Sequence, residues 1–294
     1  MDSKKLEILI SSLDAGSFIK ASEIVGYTQS GITHMMDSLE REIGIKIISR
    51  NHNGITLSKE GEVLLPYIKD FLKSNAKLEN KIDELKNNSK KVIRVSTYAS
   101  IAMNWIPEIL YRYKRICPDV NVELTMVDNA LEPFELLEEN KTDVIFASKH
   151  EGYNCKWIDL YSEQLYAIVP KNYHLKNKKV FPIKKFKGTD FLMPYGRFDI
   201  KVNETFSLEN INANITTPKV DDETLIRMVS KGLGISLMSE LMIRGRTDDV
   251  LCIPISPSNN RILGLGIQKN INDESINKFI NCVKEYIKDL PVKK

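Results

Sequence analysis

The chain of 294 residues is longer than a single hydrophobic core usually supports, so two or three domains are expected. With 42% hydrophobic and 28% charged residues it is neither a disordered nor a collagen-like chain, and no apolar run reaches the roughly 20 residues that a membrane-spanning helix needs. Its net charge of +3 permits nucleic-acid binding without requiring it, since residues 1–62 carry seven basic and nine acidic side chains.

Three short helices are predicted in residues 1–44, because apolar residues recur there at steps of three and four. Gly16 is placed to end the first helix, and Ser17 to cap the second. Thr28 is placed to cap the third, which ends at Gly44. The second and third helices, joined by a tight turn at Gly26, form a helix-turn-helix unit. The apolar residues expected to face inward are Leu6, Leu9, Ile10 and Leu13, then Phe18, Ala21, Ile24 and Val25, then Ile32, Met36, Leu39 and Ile43.

A β-hairpin is predicted after the third helix. Residues 45–50 and 55–57 are β-prone runs, and Asn53-Gly54 between them is among the strongest signals for a short hairpin turn. A hairpin that directly follows a helix-turn-helix is a wing. We therefore predict a winged helix-turn-helix domain over residues 1–58.

The polar face of the third helix is a candidate DNA-reading surface. In a helix-turn-helix this helix enters the major groove, where the amide of Gln29 suits adenine and the hydroxyls of Ser30 and Thr33 suit phosphates or base edges. At the wing, the cation of Arg50 suits a phosphate or the minor groove. The alternatives are an ordinary solvated helix face and, for Arg50, an ion pair with a neighbouring carboxylate.

A long fourth helix is predicted over residues 59–87. Its apolar residues alternate at steps of four and three, with Asn75 at one inner position, which is typical of a coiled-coil seam. We expect this helix to pair with a second copy of the chain; the alternative is that it lies on its own domain. The predicted seam comprises Leu64, Ile68, Phe71, Asn75, Leu78 and Ile82.

Strands alternate with helices after the polar break at residues 87–91, which predicts parallel sheets covered by helices. The strand runs are 92–95, 120–126, 144–147, 165–169, 191–193, 216–220 and 235–238, and the helices are 102–114, 133–139, 223–231 and 275–289. Because these are more strands than one small sheet holds, we predict two α/β subdomains over residues 92–294. The first is expected at about 92–162 and 267–294 and the second at about 163–266, with the return crossing near residues 265–268.

These motifs resemble the LysR-type transcriptional regulators over essentially the whole chain. In the C-terminal part, residues 142–145 look like a strand of the family's first subdomain and residues 229–236 like a turn of its second. The N-terminal signature is the more specific part. It consists of Gly16-Ser17-Phe18, Ala21, Thr28-Gln29-Ser30-Gly31-Ile32-Thr33, Leu39-Glu40, Gly44, Arg50, Leu57-Ser58 and Gly61.

The resemblance implies a winged helix-turn-helix on a long linker helix and a two-subdomain effector-binding region like a periplasmic binding protein. It implies a homodimer or homotetramer that binds promoter DNA at an inverted repeat, works with RNA polymerase and responds to a small-molecule effector. Ser30 departs from the family's usual Pro, and His34 from its frequent Arg. Since histidine, unlike arginine, is not permanently charged, a weaker phosphate contact is expected. The implied DNA contacts are Thr28, Gln29, Ser30, Thr33, His34, Arg50, His52 and Asn53.

The effector cleft is expected beyond the carboxyl ends of the strands, where ligands of open α/β sheets bind. Ser100 and Ile101 lie at a predicted helix N-terminus that suits an anion, and Lys149 or Arg197 would add a counter-charge. Ordinary loop residues are the alternative. The expected ligand is a small polar or anionic metabolite, and the candidate contacts are Tyr98, Ser100, Ile101, Asn129, Ser148, Lys149, Tyr195, Arg197 and Phe198.

Enzymatic and metal chemistry have little support in the sequence. The motifs GxSxG, HExxH and GxxxxGK[ST] do not occur, and the four cysteines and four histidines lack the spacing of metal ligands. We expect no catalytic residue, no metal and no cofactor. A solute-binding protein and a DNA-binding protein whose C-terminal region only oligomerises are the rival interpretations. The absence of signal-peptide features at the N-terminus favours a cytoplasmic regulator without a membrane partner.

Overall fold

The computed structural model describes residues 2–51, 54–86, 91–175, 179–194, 199–269 and 272–290. The chain forms two compact units, which divide between residues 89 and 90. Within the ranges described, no helix is long and apolar enough to cross a membrane.

The N-terminal unit contains three short helices, a hairpin and a long helix. Thr28 accepts a hydrogen bond from the Gly31 N–H, as an N-cap does, and a glycine in the left-handed conformation follows each short helix. The predicted helix limits are therefore confirmed. The elements are α1 (Ser3–Ala15), α2 (Phe18–Val25), α3 (Gln29–Ile43), β1 (Ile48–Asn51), β2 (Gly54–Leu57) and α4 (Lys59–Lys86).

The core of this unit combines all three short helices with the hairpin, as the apolar stripes predict. One predicted core residue is wrong, because Ile24 is 71% exposed. Phe18, Ala21 and Val25 share one face of α2, and at 100° per residue Ile24 lies roughly a quarter turn away from that face. The buried residues include Leu6, Leu9, Phe18, Ala21, Ile32, Met36, Leu39, Ile47 and Ile55.

The first turns of α4 pack against their own domain, on α1 and β2. Ile68 is 6% exposed within the N-terminal core and Leu64 packs against the same core, so these two predicted seam residues belong to the domain and not to an open seam. Further along, Phe71, Leu78 and Ile82 are exposed. Of the apolar residues predicted for the seam, only those from Phe71 onward are therefore exposed.

The C-terminal unit is built from strands and helices in two subdomains. The first contains β3 (Lys91–Tyr98), α5 (Ala99–Asn104), α6 (Ile106–Ile116), β4 (Val120–Val127), α7 (Glu132–Glu138), β5 (Val144–Ser148), β6 (Cys155–Glu163), and, after the second subdomain, β13 (Arg261–Gln268) and α11 (Glu274–Asp289). The second contains β7 (Leu165–Pro170), β8 (Phe181–Pro182), β9 (Asp190–Leu192), α8 (Asp199–Leu208), β10 (Asn214–Thr216), α9 (Asp222–Ser230), β11 (Ser236–Ser239), α10 (Glu240–Ile243) and β12 (Val250–Ser256).

Each subdomain has its own sheet and apolar core. In the first, the order is β4-β3-β5-β13-β6, with β3 parallel to β4 and β5, and β13 antiparallel to both of its neighbours. In the second, the order is β11-β7-β12-β8, and a parallel pair, β9 and β10, stands beside it. This is the predicted fold class, an all-α N-terminal domain with a wing followed by a two-subdomain α/β region.

The chain crosses between subdomains twice, and the second crossing differs from the prediction. The first lies between β6 and β7, as expected. The return lies in residues 257–260, between β12 and β13, so the prediction at residues 265–268 is wrong. Gly264 and Gly266 weaken the strand pattern of β13, although β13 pairs with both β5 and β6 in the first sheet. The predicted helix 102–114 is also two helices, α5 and α6, which meet at Trp105.

Candidate nucleic-acid interface and effector cleft

The N-terminus of α3 presents polar side chains to solvent. Thr28, Gln29 and Ser30 are exposed. The Thr28 hydroxyl accepts a hydrogen bond from the Gly31 N–H at 3.1 Å and lies 3.2 Å from the Ser30 hydroxyl. Because Thr28 is fixed as the cap, it orders the first turn, and the neighbouring Gln29 side chain remains available for an external partner.

The same face continues one turn further along α3. His34 is exposed and Thr33 is half-buried, while Ile32 and Met36 on the other face are fully buried. Hydroxyl, amide and imidazole groups in this arrangement can donate to phosphates and read base edges in a major groove. All five predicted α3 contacts therefore reach the surface.

Arg50 on the wing is engaged within its own domain. Its guanidinium lies 2.5 Å from an Asp37 carboxylate oxygen of α3 and 5.3 Å from the centre of the Phe18 ring. The ion-pair alternative for Arg50 is thus the arrangement in the structure, although the side chain stays 44% exposed. This ion pair holds the wing against α3. The other two wing candidates, His52 and Asn53, lie outside the described residues.

A buried carboxylate without a predicted role also holds the wing. Glu40 of α3 is 6% exposed and accepts hydrogen bonds from the backbone N–H groups of Ile47 and Ile48 at 2.8 and 2.9 Å. The Lys46 ammonium adds a contact at 2.7 Å. Burial alone would raise the pKa of Glu40, but these hydrogen bonds and the Lys46 charge outweigh it and lower the pKa below its usual value.

Two glycines allow the hairpin and α4 to approach their neighbours closely. A Cβ atom on Gly54 would lie 2.2 Å from the Gly16 carbonyl oxygen, to which the Ile55 N–H donates at 3.0 Å. A Cβ atom on Gly61 would lie 2.3 Å from the Ile47 carbonyl oxygen. The positions of the wing and of α4 therefore both depend on backbone contact that a larger residue would prevent.

A cleft of about 600 Å³ lies between the two subdomains of the C-terminal unit. The ends of β3, β4 and β5 face it from the first subdomain, and α8, α9 and α10 from the second. This position, beyond the carboxyl ends of parallel strands, is where the sequence predicts a ligand. The predicted residues that line it are Tyr98, Ser100, Ser148 and Lys149.

Two predicted cleft residues do not line it. Ile101 is fully buried in the first core, because the helix that begins at Ala99 turns its side chain inward. Asn129 uses its side-chain oxygen locally to accept a hydrogen bond from the Leu131 N–H at 2.9 Å. Tyr195, Arg197 and Phe198 lie outside the described residues.

Charged residues from distant segments complete the lining and could not be grouped from sequence alone. Arg261 forms a buried ion pair with Glu163, and Lys201 contacts Glu204 at 3.2 Å. Asp222, the first residue of α9, lies 3.9 Å from the Arg246 guanidinium. Burial raises the pKa of Asp222 to about 6, with Arg246 opposing that effect.

The geometry defines a class of protein: a helix-turn-helix with an exposed polar helix and a wing, followed by a two-subdomain α/β region with a cleft between its subdomains. Residues 3–62 match the family model described as "Bacterial regulatory helix-turn-helix protein, lysR family". Residues 86–288 match that described as "LysR substrate binding domain". The chain therefore belongs to the LysR family, and it is a DNA-binding transcriptional regulator with an effector-binding region.

Relatives with solved structures or curated names cover nearly the whole chain. The Hca operon transcriptional activator HcaR of Escherichia coli is 21% identical over 298 residues, which is 97% of this chain and 98% of HcaR. The regulator CzcR of Bacillus anthracis is 23% identical over 300 residues, which is 97% of this chain and 98% of CzcR. Full-length BenM has a TM-score of 0.60 at 20% identity and covers 97% of this chain and 96% of its own. CbnR complexed with its target DNA has a TM-score of 0.56 at 18% identity and covers 98% of this chain and all of its own.

Proposed function

We propose that this regulator reads promoter DNA with the N-terminal face of α3, while the wing contacts the flanking backbone. The observation that carries this proposal is the exposed row of Thr28, Gln29, Ser30 and His34 beside a helix N-terminus whose partial positive charge suits phosphate. Glu40 and Arg50 support it by fixing the wing to the same helix. CbnR, a protein of this fold, has been solved as a complex with its target DNA, which supports the same role here.

Two chains pair through the C-terminal half of α4, so that each reading helix occupies one half of an inverted repeat. The exposed apolar residues Phe71, Leu78 and Ile82 favour this pairing, because their spacing of seven and four places them on one side of α4, and pairing would remove that side from water. Asn75, which donates a hydrogen bond to Glu79 at 2.9 Å, is the polar position of the seam and would restrict register. Further contacts would extend the dimer to a tetramer.

The cleft binds a small effector and thereby changes the angle between the subdomains. A ligand shifts a conformational equilibrium only if it binds one conformation more tightly than the other. A ligand that contacts both subdomains does so, because the distance between its contacts changes with the angle between the subdomains. Tyr98 and Ser148 from the first subdomain and Asp222 and Arg246 from the second offer such contacts. The change alters the spacing of the paired reading helices and the access of RNA polymerase to the promoter in the cytoplasm.

Selection from a pool of randomised DNA duplexes tests this proposal without knowledge of the target gene. The full-length protein should enrich duplexes that share two inverted half-sites about one or two helical turns apart. A protein that enriches no common sequence after repeated rounds, while remaining folded, would contradict the proposed function. An enriched sequence with a single half-site would contradict the paired arrangement.

A further inference from the structure

The proposed effector cleft carries more negative than positive side chains. The inference drawn from this charge about the ligand rests on the proposed function of the cleft as an effector site. Among the described lining residues there are six carboxylates and four Lys or Arg side chains. Burial lowers the pKa of His150, which also lines the cleft, so this histidine is neutral at pH 7. The described lining therefore carries net negative charge, against the expectation of an anionic ligand.

Three of the four cations of the cleft already have a protein carboxylate within 4.0 Å. Arg261 is paired with the buried Glu163, and Lys201 lies between Glu204 and Asn259, with its ammonium 2.9 Å from the Asn259 side-chain oxygen. Lys149 has the Asp159 carboxylate 4.0 Å away. A ligand carboxylate would have to compete with these protein carboxylates for each of the three cations.

Two carboxylates of the cleft, Asp128 and Asp222, have no hydrogen-bond partner among the described residues. Asp128, which follows β4 in the first subdomain, is exposed to the cleft and makes no hydrogen bond or ion pair with any described residue. Asp222 faces it from the second subdomain, with Arg246 no closer than 3.9 Å. Both line the same cleft, and the Asp128 charge acts on Asp222, although less strongly than the charges of Arg246 and Arg261 do. Like charges that line one cleft repel, and a cation bound between them would reduce that repulsion.

A second, independent feature indicates a polar ligand at the same place. Ser100 is only 8% exposed and lines the cleft, yet its hydroxyl has no hydrogen-bond partner within the part of the chain that the structure describes. The Ser100 hydroxyl is therefore open to the cleft, where it can donate a hydrogen bond to a ligand or accept one from it. Ser100 lies in the first turn of α5, directly after the β3 end that Tyr98 forms.

We propose that the effector is a small metabolite with a protonated amino group, which binds between Asp128 and Asp222 and hydrogen-bonds to Ser100. One carboxylate comes from each subdomain, so the ammonium would draw the subdomains together. The same contact thus provides both recognition and the differential affinity that closure requires. Amines and amino acids carry a protonated amino group at neutral pH, whereas dicarboxylates and similar dianions do not.

Three four-carbon compounds of different charge test the proposal on the full-length protein. 1,4-Diaminobutane, 4-aminobutyrate and succinate are titrated separately by calorimetry at pH 7.5. At least one aminated compound should bind, and succinate should not. Asp128→Asn and Asp222→Asn should each weaken that binding at least tenfold. Asp119→Asn, at the opposite end of β4 and exposed, is the matched control and should bind as the wild type does.

Several outcomes would overturn the proposal. They are tighter binding of succinate than of either aminated compound, binding of none of the three, and amine binding that both Asn variants retain. Succinate binding that Ser100→Trp abolishes would keep the cleft as an effector site and reject only the charge assignment. Failure of the proposed function would appear elsewhere, as loss of sequence-selective DNA binding by the wild-type protein.

Discussion

Glu163 and Arg261 form a buried ion pair at the point where the chain crosses between its two α/β subdomains. Glu163 ends β6 and Arg261 begins β13, and the two residues face each other in the strand register. The Arg261 guanidinium lies 2.5 Å from one Glu163 oxygen, and the Leu241 N–H donates to the other at 2.7 Å. Arg261 also donates to the Ser239 hydroxyl at 3.1 Å. The ion pair thus ties both crossing strands together at one place.

Replacing Glu163 should therefore destabilise the C-terminal unit strongly. Glu163→Gln removes the carboxylate that contacts the buried Arg261 guanidinium, and breaking a buried pair in this way costs about 3 kcal/mol or more. Urea unfolding followed by tryptophan fluorescence measures the loss, since Trp105 and Trp157 both lie in the first subdomain. Glu139→Gln removes an exposed partner of Lys141 and should leave stability close to wild type. Equal effects of the two substitutions would show that the buried pair contributes no more to stability than an exposed one.

Replacing Glu40, which holds the wing against α3, should reduce both the stability and the DNA binding of the N-terminal unit. Glu40→Ala leaves the buried N–H groups of Ile47 and Ile48 without acceptors, at a cost of about 2 to 4 kcal/mol. Because the pKa of Glu40 is lowered in the fold, its contribution is complete above the ordinary carboxyl range and is lost as the pH falls below it. Thermal unfolding between pH 3 and 7 measures this loss. Glu23→Ala, at an exposed position of α2, should show no comparable dependence.

The contribution of Asp222 to stability depends on pH in the opposite direction to that of Glu40. Its pKa is raised to about 6 in the folded chain, so the folded state favours the protonated form and is penalised as the pH rises through 6. Asp222→Asn removes the penalty and should raise the free energy of unfolding by about 2 to 3 kcal/mol at pH 7.5, with little change near pH 4. Chemical unfolding at both pH values measures the difference. An Asp222→Asn variant that is less stable than wild type at pH 7.5 would show that Asp222 is stabilised as a charged partner of Arg246.

The apolar half of α4 should control self-association. Leu78→Glu places a charge at a seam position that is 60% exposed in the single chain, so it should favour monomers without loss of helix. Lys77→Glu puts the same residue one position away, outside the predicted seam, and should leave assembly unchanged. Sedimentation measures both variants against the wild type. A monomeric wild type, or equal effects of the two variants, would reject pairing through this helix.

Much of the fold was predictable because local signals and tertiary packing agree. Thr28 and Gly44 limit α3 by capping, and Ile32, Met36 and Leu39 bury the face that their spacing predicts. The prediction of the α4 seam failed in part, because two different arrangements have the same apolar spacing and only tertiary packing distinguishes them. The spacing of Leu64 and Ile68 fits a seam between two chains equally well, and only the structure places both against their own domain.

The exposed polar face of α3 was more predictable than the cleft because it comes from one continuous segment. The cleft gathers Asp128, Asp222 and Arg246 from segments that are far apart in the chain, and periodicity cannot show which loops converge. Tyr98 and Ser148 were predictable because each ends a strong parallel strand. The role of Glu40 could not be predicted, because nothing in the sequence shows that the backbone N–H groups of Ile47 and Ile48 lie beside its carboxylate.

The central claim is that α3 reads DNA, and a retardation assay on the selected duplex tests it most directly. Gln29→Ala combined with Thr33→Ala should lower specific affinity at least tenfold, because each base contact contributes about 1 to 3 kcal/mol. Ser38→Ala is the control on the same helix, since the Ser38 hydroxyl faces Lys5 of α1 at 3.1 Å. It should bind as the wild type does, and all three proteins should have the same oligomer size. Unchanged affinity of the double variant for the selected duplex would contradict the account.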